Sequence, residues 1–299
     1  MAKSNWNSKD IPDQKGRVII VTGATSGLGE EASRVMAGKN ARVIMAVRNV
    51  NKGEIVAAEI REEFRDSEVE VRNLDLSSLA SVKKFSDDII KDYNRLDILI
   101  NNAGVMMCPY SKTADGFEIQ MGTNHLGHFA LTGYLMPLLK STEGSTIVAT
   151  SSAAHRAGNI DFNDLNWENR KYNKSRAYGD SKLANLYFAY ELAERSQKDP
   201  DFPKVTAAHP GWTRTELQRH AGMTSFLNNF FSQGVDMGTL PSLRAAIDPE
   251  AQSGDYFGPK GFMEMQGYPV KVKSNRRSHD KAAARKLWEL SEEMTGISY

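Results

Sequence analysis

The sequence predicts a single doubly wound α/β domain, with a parallel sheet in the order 3-2-1-4-5-6-7 and helices on both faces. Three observations predict it. Short β-branched runs alternate with amphipathic ones, the pattern of parallel strands joined by right-handed helical crossovers. A glycine-rich turn separates the first strand from the first helix, between Thr22 and Gly29. No Pro/Gly/Ser-rich linker and no internal repeat divides the 299 residues, a length that one large α/β domain can fill.

The elements follow in order. Arg17 to Thr22 reads as a buried strand, followed by a helix over Gly27–Gly38. Arg42–Ala46 is a second strand, and Lys52–Phe64 a helix with its charges on one side. Val69–Leu74 is a third strand, and Leu79–Tyr93 a helix capped by Ser77 or Ser78. Leu96–Ile100 is a fourth strand, followed by helices over Ala114–Met121 and Thr123–Lys140. Thr146–Thr150 is a fifth strand, Arg176–Ser196 a helix and Val205–Ala208 a sixth strand. Past Pro210 the pattern loosens: Gly211 to Phe231 reads as a flap within the domain, and Ser278–Glu293 as a final surface helix.

Composition narrows the function classes. With 40% hydrophobic and 25% charged residues the chain is an ordinary globular one. A net charge of +1, with no basic tail, gives no reason to expect nucleic acid or an anionic membrane as a partner. The single cysteine, Cys108, fits a reducing compartment. The first 16 residues contain no apolar core of a signal peptide. The most apolar long stretch, Leu126–Leu139, is too short to span a bilayer and reads as a buried helix. The expectation is a cytoplasmic protein.

Glycines at 23, 27 and 29 let the backbone turn sharply and approach a pyrophosphate at the positive end of the first helix. An NAD site usually places an acid at the end of the second strand. Here Val47 stands at that position with Arg48 beside it, which suits a 2′-phosphate and predicts NADP(H). Asp75 and Leu76 close the third strand, and Asn101-Asn102-Ala103-Gly104 the fourth, at the carboxyl edge where such sheets bind ligands. Asp75 is placed either to accept from an adenine amino group or to cap the next helix.

Tyr178 and Lys182 are spaced to share one face of a helix, where a cation makes a phenol usable for acid–base chemistry near neutral pH. A second Tyr-x-x-x-Lys, Tyr256 to Lys260, encloses Phe257-Gly258-Pro259 and should not be helical.

The glycine loop at 22–29, Asn-Asn-Ala-Gly at 101–104, a serine ending the fifth strand, Tyr178-x3-Lys182 and Pro210-Gly211-x-Thr213 occur in that order. In this the chain resembles the short-chain dehydrogenases/reductases, enzymes with a Rossmann-type fold, from about residue 15 to 215. The segments Asn102–Phe117, Thr123–Phe129 and Ser181–Asn185, with the insert Ala153–Phe162 and Leu165, resemble the retinol dehydrogenase-like branch. Light-dependent protochlorophyllide reductases share Asn124–Phe129 but usually lack the Asn-Asn-Ala-Gly form. Animal retinol dehydrogenases commonly carry an N-terminal membrane anchor, and the absence of one here favours a soluble carbonyl reductase.

The resemblance implies a catalytic tetrad of Asn124, Ser152, Tyr178 and Lys182. Ser152 is preferred to Ser151 because it stands eighth from Ser145, and adjacent strand residues point to opposite faces. It implies a cofactor cradle of Gly23, Thr25, Ser26, Gly27, Leu28, Gly29, Arg48, Asp75, Leu76, Asn102, Ala103 and Gly104. Tyr178, Lys182, Pro210, Gly211 and Thr213 complete it, the last three at the nicotinamide carboxamide. The implied reaction is NADPH-dependent reduction of an aldehyde or ketone, reversible as alcohol oxidation. Tyr178 gives the proton, Ser152 steadies the oxygen, and Lys182 binds the ribose and lowers the Tyr178 pKa. Asn124 holds a relay water behind the lysine.

Met106, Met107, Trp212, Met223, Phe226, Phe230 and Phe231 are candidates to line a pocket for an apolar or aromatic carbonyl or alcohol substrate, or to be ordinary core. His125 and His128 lack the company of further ligands, so no metal is expected. Cys108 and His209 read as packing residues. The helices at 123–140 and 176–196 are candidate faces for a homodimer or homotetramer, and a monomer is also compatible. Other readings are a non-catalytic NADP-binding redox sensor, which the full tetrad opposes, a protochlorophyllide reductase-like enzyme, and a protein-interaction module.

Overall fold

The computed structural model describes residues 5–197, 199, 201–213 and 233–299. Eight strands form one sheet: β1 (Val18–Thr22), β2 (Arg42–Val47), β3 (Glu68–Asn73), β4 (Ile98–Asn101), β5 (Thr146–Thr150), β6 (Lys204–Ala208), β7 (Tyr256–Pro259) and β8 (Pro269–Lys271). Their order is 3-2-1-4-5-6-7-8. The first seven run parallel, and β8 adds an antiparallel edge strand that the sequence reading did not include.

The helices are α1 (Gly27–Ala37), α2 (Val50–Glu63), α3 (Leu79–Asp92), the short α4 (Ile119–Met121), α5 (Gly127–Lys140), α6 (Lys174–Ser196), α7 (Val235–Ile247) and α8 (Lys281–Thr295). A π-helical turn, Gly122–Leu126, joins α4 to α5. Helices on both faces explain why β1, β2, β4 and β5 are largely apolar and buried runs. Alternate residues serve opposite layers. Val18 and Ile20 of β1 and Ile44 and Ala46 of β2 join the core under α3, α5 and α6. Ile19, Val21, Val43, Met45 and Val47 join the core under α1, α2 and α7.

Two local expectations fail for identifiable reasons. The helix expected over Ala114–Met121 is confined to Ile119–Met121. Gly116 takes a left-handed φ of +88°, and Thr113 and Phe117 close a turn around it through Thr113 N–H to Phe117 C=O, 2.8 Å. The sequence reading also missed α7, whose pattern is interrupted by Gly238 and Pro241. Gly238 is small because Thr213 packs on it: a Cβ there would lie 2.2 Å from the Thr213 hydroxyl. Tyr256–Pro259 is strand rather than helix, with Tyr256 buried in it and Lys260 exposed just past its end.

The last helix is capped by Asp280 and ends at Gly296, φ +70°. It is less a surface helix than a cover for the outer faces of α5 and α6. Trp288, 2% exposed, packs edge-on against Phe129 (4.9 Å between ring centroids) and stacks on Phe188 (6.0 Å). Tyr299 donates from its hydroxyl to the Phe129 carbonyl at 3.1 Å. Among the described residues no helix is long and apolar enough to cross a membrane. The expected flap, beyond Gly211–Thr213, lies outside the described residues, as do Met223, Phe226, Phe230 and Phe231.

Candidate active site

The carboxyl ends of β1, β4 and β5 converge with α6 and the π turn. Gly23 has φ +69°, and a Cβ on it would come within 2.9 Å of Ala103. A Cβ on Gly29 would lie 2.4 Å from the Gly23 carbonyl and 2.6 Å from the Asn102 amide. No side chain fits at either position, so these glycines let the 23–29 loop pack closely on the Asn102–Ala103 segment at the start of α1. Ser26, its N-cap, makes no side-chain cap hydrogen bond. Thr25, Ser26, Gly27 and Leu28 are half-buried along this loop. A glycine loop at a helix N-terminus suits a pyrophosphate.

Thr22 ties this loop to the β4 end. Its Oγ1 accepts from the Asn102 and Ala103 N–H groups, both at 2.9 Å, while the Asn102 side-chain amide donates to Thr22 C=O at 2.9 Å. His128 continues the chain. Its Nδ1 lies 3.0 Å from the Asn124 carbonyl, which can only accept, so Nδ1 carries the proton. Nε2 then accepts from the Thr22 hydroxyl at 2.9 Å. Burial pushes His128 down to about 4, so it is neutral at physiological pH. His125 faces elsewhere, bonding Ser291 of α8 at 2.8 Å. Among the described residues no cluster suited to a metal occurs. The role of Thr22 was not legible in the sequence, because its partners come from β4 and α5.

At the β2 end Val47 is buried, and its methyls would meet a Cβ on Gly53 at 2.9 Å, so it points into the core. Arg48 is exposed beside it. Asp75 accepts from Ser77 N–H (2.9 Å) and Ser77 Oγ (2.6 Å), a turn that starts α3, while Ser78 provides the helix cap. Leu76 is buried in the core and offers the site only its backbone.

Tyr178 and Lys182 sit one turn apart on α6, with Lys182 Nζ 5.8 Å from the Tyr178 ring centroid. The Ser152 side chain, whose oxygen accepts from Ala154 N–H at 3.2 Å, lowers the pKa of the Tyr178 phenol. Ser151 faces away, donating to the Lys182 carbonyl at 2.8 Å. Lys182 donates to Thr150 C=O, at the end of β5, at 3.2 Å. Burial pushes the phenol up to about 12, against a smaller lowering by the Ser152 bond. Burial also brings the Lys182 ammonium down to about 8. Burial is thus the largest influence on the phenol, which stands above its ordinary value.

Asn124 lies in the π turn, a feature often found at functional sites. Its side chain is fully engaged. Oδ1 accepts from Val105 N–H (2.8 Å), and Nδ2 donates to Val105 C=O and Ser181 Oγ, both at 2.9 Å. Gly104 is packed into this corner, a Cβ on it lying 3.0 Å from Asn124 Oδ1 and 3.5 Å from Lys182 Nζ.

Pro210, Gly211 and Thr213 follow β6. Thr213 is buried, and its hydroxyl donates to the Pro210 carbonyl at 2.7 Å, so it buckles the turn. His209 is bonded to Glu264 (2.8 Å), and burial raises the Cys108 thiol.

The model of the short chain dehydrogenase family matches residues 17–224. The chain is 43% identical to human retinol dehydrogenase 12 over 289 residues, covering 95% of this chain and 88% of that protein. It is 41% identical to human retinol dehydrogenase 13 over 293 residues, covering 94% and 85%. Its fold is similar to the crystal structure of an uncharacterised protein from Mycobacterium paratuberculosis, with a TM-score of 0.83, 39% identity and 99% of each chain covered. A short chain dehydrogenase from Shigella flexneri complexed with NADP aligns with a TM-score of 0.66 and 28% identity, covering 82% of this chain and 97% of that one. The glycine loop, the Tyr178–Lys182 face and these likenesses agree: the chain belongs to the short-chain dehydrogenase family, on its retinol dehydrogenase-like branch.

Proposed function

We propose that this protein is an NADPH-dependent reductase of apolar or aromatic aldehydes and ketones, reversible as an alcohol dehydrogenase. The observation that carries the reading is the face of α6 shared by Tyr178 and Lys182, with Nζ 5.8 Å from the ring centroid and the Ser152 side chain lowering the phenol. When bound, the reduced nicotinamide supplies hydride to the carbonyl carbon. Ser152 donates to the carbonyl oxygen, stabilising charge that develops as the bond order falls. Tyr178 delivers its proton to that oxygen, since a phenol at about 12 is fully protonated at neutral pH. Lys182, at about 8, is mostly an ammonium at that pH and stabilises the phenolate left behind. The backbone of the 23–29 loop would hold the pyrophosphate, Asn102, Ala103 and Gly104 would border the ribose, and Pro210, Gly211 and Thr213 the carboxamide.

Arg48, exposed where Val47 turns inward, supports NADP(H) over NAD(H), and so does the NADP complex of the Shigella relative. The name of the retinol dehydrogenase relatives supports an apolar alcohol or its carbonyl partner as substrate. The single cysteine supports a cytoplasmic setting. NADPH oxidation measured with a panel of aromatic ketones and long-chain aldehydes, in parallel with NADH, tests the reading. Turnover with NADPH that disappears in Tyr178→Phe, while that variant still binds NADPH, is expected. Binding without turnover across the panel would instead favour a redox sensor.

A further inference from the structure

Beside the Tyr178–Lys182 face lies a knot of polar side chains that the mechanism does not use. Glu118 is fully buried, and its carboxylate accepts from Gln120 N–H (2.9 Å), Met121 N–H (2.7 Å) and the Tyr172 hydroxyl (2.8 Å). Burial raises its carboxyl, and these three donors oppose that rise. The one proton of Tyr172 goes to Glu118, so its oxygen accepts from Gln120 Nε2 at 2.8 Å. The same Gln120 amide donates to Lys174 C=O, the first residue of α6, at 2.9 Å. Its Oε1 accepts from Met107 N–H at 2.7 Å. Gln120, itself fully buried, thus has a partner for both amide protons and for its oxygen, in only one orientation.

What Gln120 holds is a strained backbone. Met107 has φ +51°, a left-handed conformation that costs a residue with a Cβ roughly 1–2 kcal/mol. Such strain persists only where surrounding contacts fix it, and it concentrates at functional sites. Met107 lies three residues beyond Gly104, which is packed against Asn124 and Lys182. The segment 105–107 is therefore pinned at both ends, by Asn124 at Val105 and by Gln120 at Met107. Its side chains, Val105, Met106 and Met107, are apolar and half-buried. Through Lys174 the same glutamine is tied to the helix that carries Tyr178.

We propose that Gln120, oriented by Glu118 and Tyr172, is a positioning residue that sets substrate specificity. It fixes the 105–107 segment as an apolar wall at a set distance from Tyr178, and so selects the apolar carbonyl compound that fits between them. The inference rests on the reductase reading. Gln120→Ala removes the Met107 acceptor, and Tyr172→Phe removes one of the two groups that orient Gln120 while leaving the backbone intact. The full-length variants are compared with wild type by steady-state kinetics with an aromatic aldehyde and NADPH, by NADPH binding, and by amide hydrogen exchange. In Gln120→Ala the KM for the aldehyde is expected to rise about tenfold, one hydrogen bond's worth, with kcat within about threefold. NADPH affinity stays unchanged, and exchange quickens at Met107 but not in β1 or β5. Tyr172→Phe should move the same readouts in the same direction by a smaller factor. Unchanged KM in both variants overturns the role of Gln120. So does a joint loss of NADPH affinity and of β1 and β5 protection, which marks a merely structural residue. A wild type that oxidises no NADPH with any carbonyl overturns instead the reductase reading beneath it.

Discussion

Ser151 and Ser152, neighbours just past β5, send their hydroxyls in opposite directions. Ser151 donates to the Lys182 carbonyl at 2.8 Å, whereas the Ser152 oxygen accepts from Ala154 N–H at 3.2 Å and its side chain lowers the Tyr178 phenol. On the proposed reading one hydroxyl braces the helix and the other faces the reacting carbonyl. Ser152→Ala should lower kcat by about 10²–10³-fold, the effect of removing one donor from a developing oxyanion. Ser151→Ala should leave kcat nearly unchanged and lower stability by about 1 kcal/mol, for one buried hydrogen bond. Steady-state kinetics and denaturant melts on both variants decide this, and equal losses of kcat would show that the two faces are not distinct.

The charge on Lys182 sets a pH window. Burial lowers its pKa to about 8, so the ammonium is present below that pH and lost above it. Tyr178, at about 12, keeps its proton throughout the same range. The pH profile of kcat/KM for reduction should therefore be flat near neutrality and fall as pH rises through about 8. The fall belongs to the lysine rather than the tyrosine. A rate that holds constant up to pH values well above 8 would remove Lys182 from the role of phenolate stabiliser.

Arg48 is the exposed residue at the end of β2, next to a Val47 that is turned into the core. If it meets a 2′-phosphate, Arg48→Ser should raise the KM for NADPH by about 10- to 100-fold, the range for a hydrogen bond to a charged group. The KM for NADH should change little. Kinetics with both cofactors provide the check, and an equal change for both would point to a general effect on the loop.

Trp288 holds α8 onto α5 and α6 through its contacts with Phe129, Phe188 and Tyr299, the last at 4.9 Å between ring centroids. Trp288→Ala should cost about 3–5 kcal/mol, as expected for truncating a large buried aromatic. Urea unfolding with an unchanged m-value would measure it. A loss below about 1 kcal/mol would mean that the helix does not brace the faces it covers.

Much of this protein is written locally. The strands β1, β2, β4 and β5 are legible because both faces are buried, which makes each a largely apolar run. Tyr178 and Lys182 are legible because their convergence follows from the helical repeat alone. The glycines at 23 and 29 are legible because a close backbone approach leaves no room for a side chain. The sequence alone therefore determined the fold class and the helix face that Tyr178 and Lys182 share. Only the tertiary structure decided that the phenol is pushed upward, because burial is a property of the whole packed core. It alone joined Thr22 to His128, and Glu118 and Gln120 to Tyr172 and Met107, because these partners come from different segments. It alone laid α8 over α5 and α6, since an amphipathic pattern shows that a face is buried but not against what.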